Sequence, residues 1–142
     1  TKSARNRSIP ALMEAALGSG KARLMGIFGG QGNTDDYLRE IGDLTSTYGP
    51  LIRDLFGKLS AALKASSESD AAAGMAPIVD LQGWVERPES RPAEDVLQQA
   101  CVSLPMAGVI QLLNWALLFE CARVDASTRE LFKSGLTGHS QG

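Results

Sequence analysis

Apolar positions along the chain form one short continuous run, two helical stripes and one long stretch that is apolar on nearly every side. The run Arg-Leu-Met-Gly-Ile-Phe at 23–28 is bounded by glycines and has the length of a buried strand. Gly29-Gly30-Gln31-Gly32-Asn33 then makes a sharp loop. Thr34 is an N-cap candidate, and Asp35 and Asp36 follow in the first turn, where the helix dipole favours acids. Behind them Leu38, Ile41 and Leu44 recur at spacings of three, which predicts a helix over 34–47. Tyr48-Gly49-Pro50 breaks that helix, and Pro50 is suited to open another. There Leu51, Ile52, Leu55, Phe56, Leu59 and Leu63 form the apolar stripe, with Arg53, Asp54 and Lys58 outside it.

Residues 65–76 are rich in Ser and Ala, carry Glu68 and Asp70, and read as a mobile surface loop. Ile78, Leu81, Trp84 and Val85 predict a short helix that Pro88 stops, and 94–100 predicts one or two further turns. Pro105 is expected to open the long apolar helix, which runs to about Cys121. Its segment 104–119 holds Gln111 and Asn114 and falls short of the ~20 residues of a membrane span, so it reads as a buried helix. Met106, Trp115 and Phe119 are expected in its core face, while Gln111 and Asn114 satisfy buried backbone or each other. Ser127 and Glu130 have capping-box spacing, and 134–137 reads as a second short strand. Ser8 and Pro10 can open a helix closed by Gly18 or Gly20, which makes 1–22 a helical lead-in. Each glycine-rich loop directly follows a strand. That order predicts an α/β fold, in which ligands gather at the carboxyl ends of strands.

Composition narrows the function. The 142 residues fit one domain, and 14 Lys+Arg against 16 Asp+Glu leave a net charge of −2. Such a surface lacks the basic footprint of a nucleic-acid binder. One histidine and two separated cysteines, Cys101 and Cys121, exclude a zinc site of Cys and His ligands and favour a reducing, cytoplasmic setting. Lys2, Arg5 and Arg7 precede an apolar run interrupted by Glu14, which fails as a secretory signal, though the acid-free start leaves a transit peptide open.

Two loops hold the candidate chemistry. Gly138-His139-Ser140-Gln141-Gly142 has the form GxSxG, in which a serine sits on a strained strand-to-helix turn and small flanking residues avoid clashes. Chains of this glycine and serine content produce the pattern by chance roughly one time in seven, so it is weak alone. Its place after a candidate strand strengthens it. Ser140 is the candidate nucleophile, and the N–H of Gln141 would face the same point in space. The second loop, around Gly30-Gln31-Gly32, also lies between a strand and a helix and offers the N–H of Gln31 as a second oxyanion donor. Gly30, Gly32, Gly138 and Gly142 are read as setting loop geometry. The alternatives are a tight turn with no ligand, a purely structural serine, and a non-catalytic module whose glycine loops grip phosphates or CoA. The Gly29–Gly32 loop is neither a dinucleotide fingerprint nor a Walker loop, because Asp35 stands where a third glycine belongs and no Gly-Lys-Ser/Thr follows. His139 adjoins Ser140, but neighbouring side chains at a turn aim apart, which argues against it as the base.

Ile27-Phe28-Gly29-Gly30-Gln31-Gly32-Asn33, Asp36-Tyr37-Leu38, Tyr48-Gly49-Pro50-Leu51, Gly108-Val109-Ile110-Gln111-Leu112 behind Pro105, and the GxSxG segment together resemble a known family. It is the N-terminal acetyltransferase domain of the fungal type I fatty acid synthase beta subunit, with the related starter-unit acyltransferases of fungal polyketide synthases. The resemblance spans about 24–142.

The resemblance implies an α/β-hydrolase-like core of the malonyl/acyl-transferase type, with 23–142 as its front part, an N-terminal fragment ending at the nucleophile elbow. It implies that Ser140 attacks an acyl-CoA and passes the acyl group to the phosphopantetheine thiol of an acyl carrier protein, with Gln31 and Gln141 as the oxyanion-hole donors. Serine in the elbow favours the synthase subunit, since many starter-unit domains carry cysteine there. The implied partners are the remainder of the beta subunit and an alpha subunit bearing the carrier protein, in a large cytoplasmic hetero-oligomer without nucleic acid, membrane or metal. No cofactor is expected on this fragment itself. Leu104 replaces the glutamine that precedes the proline in bacterial relatives. The family's histidine base lies beyond the serine, so the isolated 142 residues are expected to show no turnover.

Overall fold

The computed structural model describes residues 25–29, 34–122 and 135–138. In chain order these form strand β1 (Gly26–Phe28), helix α1 (Thr34–Ala72), helix α2 (Leu81–Glu86), a 3-10 turn (Pro88–Ser90), helix α3 (Glu94–Leu97), helix α4 (Ala100–Ala122) and strand β2 (Leu136–Gly138). The expected lead-in over 1–22 and the Ser127–Glu130 capping box lie outside the described residues.

α1 joins the two helices expected from the stripes at 34–47 and 51–63. The break is present as a kink: Tyr48 leaves helical geometry at φ −117° and ψ 16°. Pro50 lacks the N–H that would bond the Ser46 carbonyl, and its ring disfavours helical backbone just before it. In the preceding turn the Thr45 hydroxyl donates to the carbonyls of Ile41 (2.9 Å) and Gly42 (3.0 Å), a pattern that also bends helices. Leu38 and Ile41 before the kink, and Ile52 and Phe56 after it, are all buried.

The sequence expectation of a mobile loop over 65–76 is overturned, because α1 runs on to Ala72. Alanine is the best helix former, and the tract is tied down from two sides. Ser67 is buried, donates its hydroxyl to the Lys64 carbonyl (2.9 Å) and accepts the Val79 N–H (2.8 Å). Gly74, at φ +72°, closes the helix: its N–H reaches the Ala71 carbonyl while that of Met75 reaches the Asp70 carbonyl, both at 2.9 Å. This pair of bonds is a Schellman closure, which a left-handed glycine makes without strain.

α2 follows the expected short helix, with Leu81 and Trp84 buried. Its last carbonyls are met by side chains: Ser90 Oγ donates to the Gly83 carbonyl (3.1 Å) and Arg91 Nε to that of Trp84 (2.9 Å). α4 starts five residues before the expected opening at Pro105. The early turn forms because Val102 and Ser103 are fully buried and their N–H groups bond the Gln99 carbonyl, at 2.9 and 2.8 Å. The proline then costs only the bond to the Cys101 carbonyl.

At 23 residues, α4 also removes the length argument against a membrane span. Among the described residues, Ala100–Cys121 is long and apolar enough to cross a membrane by length and composition. Within this fold its inner face is core. Val102, Met106, Val109, Ile110, Leu113 and Leu117 pack with Leu38, Ile41, Ile52 and Phe56 of α1, Leu81 and Trp84 of α2, and Leu97 of α3. Leu104 and Leu112 lie on the outer face and are exposed. Burial of an aliphatic side chain contributes about 1.5–3 kcal/mol, so the α1–α4 packing holds the helical layer together.

Candidate active site

β1 and β2 pair in parallel, with Gly26 opposite Leu136, Ile27 opposite Thr137 and Phe28 opposite Gly138. Parallel pairing brings the carboxyl ends of both strands to the same edge of the sheet, about 4.8 Å apart across the ladder. Phe28 and Gly138, separated in sequence by the entire helical layer, therefore lie side by side at that edge.

The sheet is seated on α4 through one aromatic column. The Phe28 ring lies 5.6 Å from that of Trp115 at an interplanar angle of 50°, and Trp115 lies 4.8 Å from Phe119 at 55°. Tilted rings at these separations attract beyond their burial. Gly26 permits the approach: a Cβ there would stand 2.6 Å from Leu136 Cδ2 and 3.3 Å from Trp115 Cζ3. Strand alternation turns Ile27 the other way, and it is 71% exposed. Of the three residues expected in the α4 core, Met106 is fully buried, while Trp115 and Phe119 are half-buried and serve the sheet.

The two carboxamides of α4 reach Gly29 at the end of β1 and Glu40 of α1. Gln111 Nε2 donates to the Gly29 carbonyl at 2.6 Å, and Asn114 Nδ2 donates to Glu40 Oε1 at 3.0 Å. Gln111 meets a backbone carbonyl, but that of the exposed Gly29 and not the buried backbone expected. Asn114 does not pair with it but with an acid of α1. The sequence marks both residues only as polar interruptions of an apolar helix, and this is the one signal that pointed to them.

Of the candidate site residues, Gly138 is the last residue of β2, placed on the strand rather than in the loop. Gly30, Gln31, Gly32, His139, Ser140, Gln141 and Gly142 lie outside the described residues. Among the described residues no cluster of three His, Cys, Asp or Glu side chains is placed to hold a metal ion. Cys101 and Cys121 are exposed and unbridged.

Comparison with known proteins fits a transacylase. Residues 26–142 match the family model described as starter unit:ACP transacylase in aflatoxin biosynthesis. The chain is 38% identical over 130 residues to the fatty acid synthase subunit beta of Saccharomyces cerevisiae, covering 89% of this chain and 6% of that protein. It is 39% identical over 125 residues to the fatty acid synthase beta subunit aflB of Emericella nidulans, covering 86% and 6%. The fatty acid synthase beta subunit TOXC of Cochliobolus carbonum is 31% identical over 134 residues, covering 93% and 6%. The chain thus spans about 6% of the length of these relatives. It belongs to the starter-unit acyl-carrier-protein transacylase family.

Proposed function

We propose that this chain carries the nucleophile and oxyanion-hole loops of an acyl-CoA:acyl-carrier-protein acyltransferase, in the setting of a fungal fatty acid synthase beta subunit. The observation that carries the reading is the parallel register that ends β1 at Phe28 opposite Gly138 of β2. It sets the two strand ends that precede Gln31 and Ser140 in sequence next to each other, which supports a site with two converging N–H donors. The pair of strands is read as part of a larger α/β-hydrolase-like sheet.

The chemistry is a double displacement. Ser140 Oγ bonds to the thioester carbonyl carbon of an acyl-CoA while a general base takes its proton. The negative charge collects on the carbonyl oxygen, where the N–H groups of Gln31 and Gln141 stabilise it. The C–S bond then breaks, and CoA leaves as the thiol with the proton returned by the base. In the second half the phosphopantetheine thiol of a carrier protein attacks the serine ester. A new C–S bond forms, the C–O bond breaks, and the Ser140 hydroxyl is regenerated. The carrier protein would be presented by a partner subunit of the synthase. No metal or redox group enters this balance.

Incubating the intact protein with acetyl-CoA and hexanoyl-CoA, and following the mass of the peptide that contains Ser140, tests the reading. Acylation of that peptide is expected, with onward transfer to a phosphopantetheinylated carrier protein. Ser140→Ala should lower transfer by about a thousandfold or more, as loss of a nucleophile does in comparable enzymes. Reversible CoA binding without any acyl-enzyme would instead identify a binding module.

A further inference from the structure

We propose that the outer strip of α4 formed by Leu104, Gly108 and Leu112 receives the hydrocarbon part of the acyl group. The assignment rests on the acyltransfer reading above and narrows its substrates to uncharged acyl chains. A spacing of four puts the three residues on one face of the helix, with Leu104 37% and Leu112 50% exposed. One step forward along β1, from Phe28 to Gly29, is one turn back along α4, from Trp115 to Gln111. α4 therefore runs on past the carboxyl end of β1, and Leu104 lies roughly 10 Å beyond Gln111 along the helix. β2 ends at the same edge, with Gly138 opposite Phe28. In open α/β sheets ligands sit outside the carboxyl ends of parallel strands, and this is the place that the strip borders.

The strip continues the helix face on which Trp115 seats the sheet, so it extends an existing apolar contact. Its chemistry suits a hydrocarbon. Residues 100–119 carry no charged side chain, so the strip offers burial to an acyl tail and no counter-charge to a carboxylate. Gly108, half-buried between the two leucines, keeps the middle of the strip low. Among the described residues, a Cβ there would meet nothing within 4 Å beyond its own helix backbone and chain neighbours. An exposed apolar strip at the rim of a ligand crevice is an ordinary way to hold the apolar part of a substrate. The opposite face of the same helix is core, with Val102, Met106 and Leu113 fully buried, so the wall is rigid.

The test compares kcat/KM of the intact protein for hexanoyl-CoA and acetyl-CoA in three variants. Gly108→Leu fills the strip and raises helix propensity, so the fold is not at risk. Leu112→Gln puts a polar side chain of similar helix propensity on the strip. Leu51→Gln is the same change at a leucine of α1 that is 51% exposed and away from the strip. In the first two variants the hexanoyl-to-acetyl ratio should fall about tenfold, the lower end of what a lost hydrophobic contact does to discrimination. Acetyl transfer should stay within about twofold, and Leu51→Gln should keep the parent ratio. An unchanged ratio in either strip variant, equal losses for both thioesters, or the same fall in Leu51→Gln would overturn the proposal. So would a lowered Tm with the ratio unmoved, which would assign the strip to packing against another part of the full-length protein. A parent that acylates from acetyl-CoA but neither uses hexanoyl-CoA nor is inhibited by it would also overturn it. The peptide containing Ser140 separates the two levels of inference. If neither thioester acylates it, the reading of the site fails and the strip assignment with it; acylation with an unmoved ratio removes the strip assignment alone.

Discussion

Ser67 sits near the end of α1 with one oxygen serving two partners, the Lys64 carbonyl and the Val79 N–H. Val79 is 2% exposed, so its N–H has no access to water if the hydroxyl is removed. Ser67→Ala should therefore destabilise the protein by about 1–3 kcal/mol, the cost of an orphaned buried donor, measured by urea unfolding. An unchanged midpoint would show that Val79 finds another acceptor. In the sequence this serine is indistinguishable from Ser66 and Ser69 beside it. What sets it apart is a partner twelve positions away, and for Gln111 the partner is eighty-two positions away. Local pattern contains no trace of such pairings, because they arise only once helices have packed.

At the scale of elements, spacing was a good guide wherever a stripe had something to bury. Leu38, Ile41 and Leu44 lie on the inner side of α1, and the Tyr48-Gly49-Pro50 break is there as a kink. The failures share one cause: packing overrode local cues. The tract after residue 64 has few bulky side chains, yet it stays helical because its far end is capped and Ser67 is pinned. Pro105 marks a helix start only when nothing upstream is buried, and Val102 and Ser103 are. The cap offers a direct check. Gly74→Ala forces a side chain into left-handed backbone at φ +72° and should cost about 1–2 kcal/mol. Circular dichroism during thermal unfolding should show a Tm several degrees lower with nearly unchanged starting helicity. No loss would mean that the closure relaxes to another geometry.

Over the whole molecule, a helical layer carries a small parallel sheet, and Trp115 is the joint between them. The glycine-bounded run and the second short strand could be picked out along the chain, but their register could not, since nothing in three residues specifies a partner so distant. Replacing the joint tests this arrangement. Trp115→Ala removes the ring between Phe28 and Phe119, and for a half-buried aromatic the loss should be about 2 kcal/mol. The stronger expectation concerns where it is lost. Hydrogen exchange should accelerate at Gly26–Phe28 and Leu136–Gly138 more than in α1. Uniform acceleration would show instead that sheet and helices melt as one unit.

The pairing of Gly26 with Leu136 also dictates an order of events during synthesis. α1 and α4 can find each other as soon as both have left the ribosome, whereas β1 must wait for β2, the later-made strand. Closing so long a chain segment carries an entropic penalty that only prior collapse of the intervening helices reduces. At translation speeds of roughly 5–20 residues per second, the nascent β1 waits about 5–20 seconds for β2 to be made. That interval is when a folding helper would have most to protect, and the carboxyl ends of the two strands come together last.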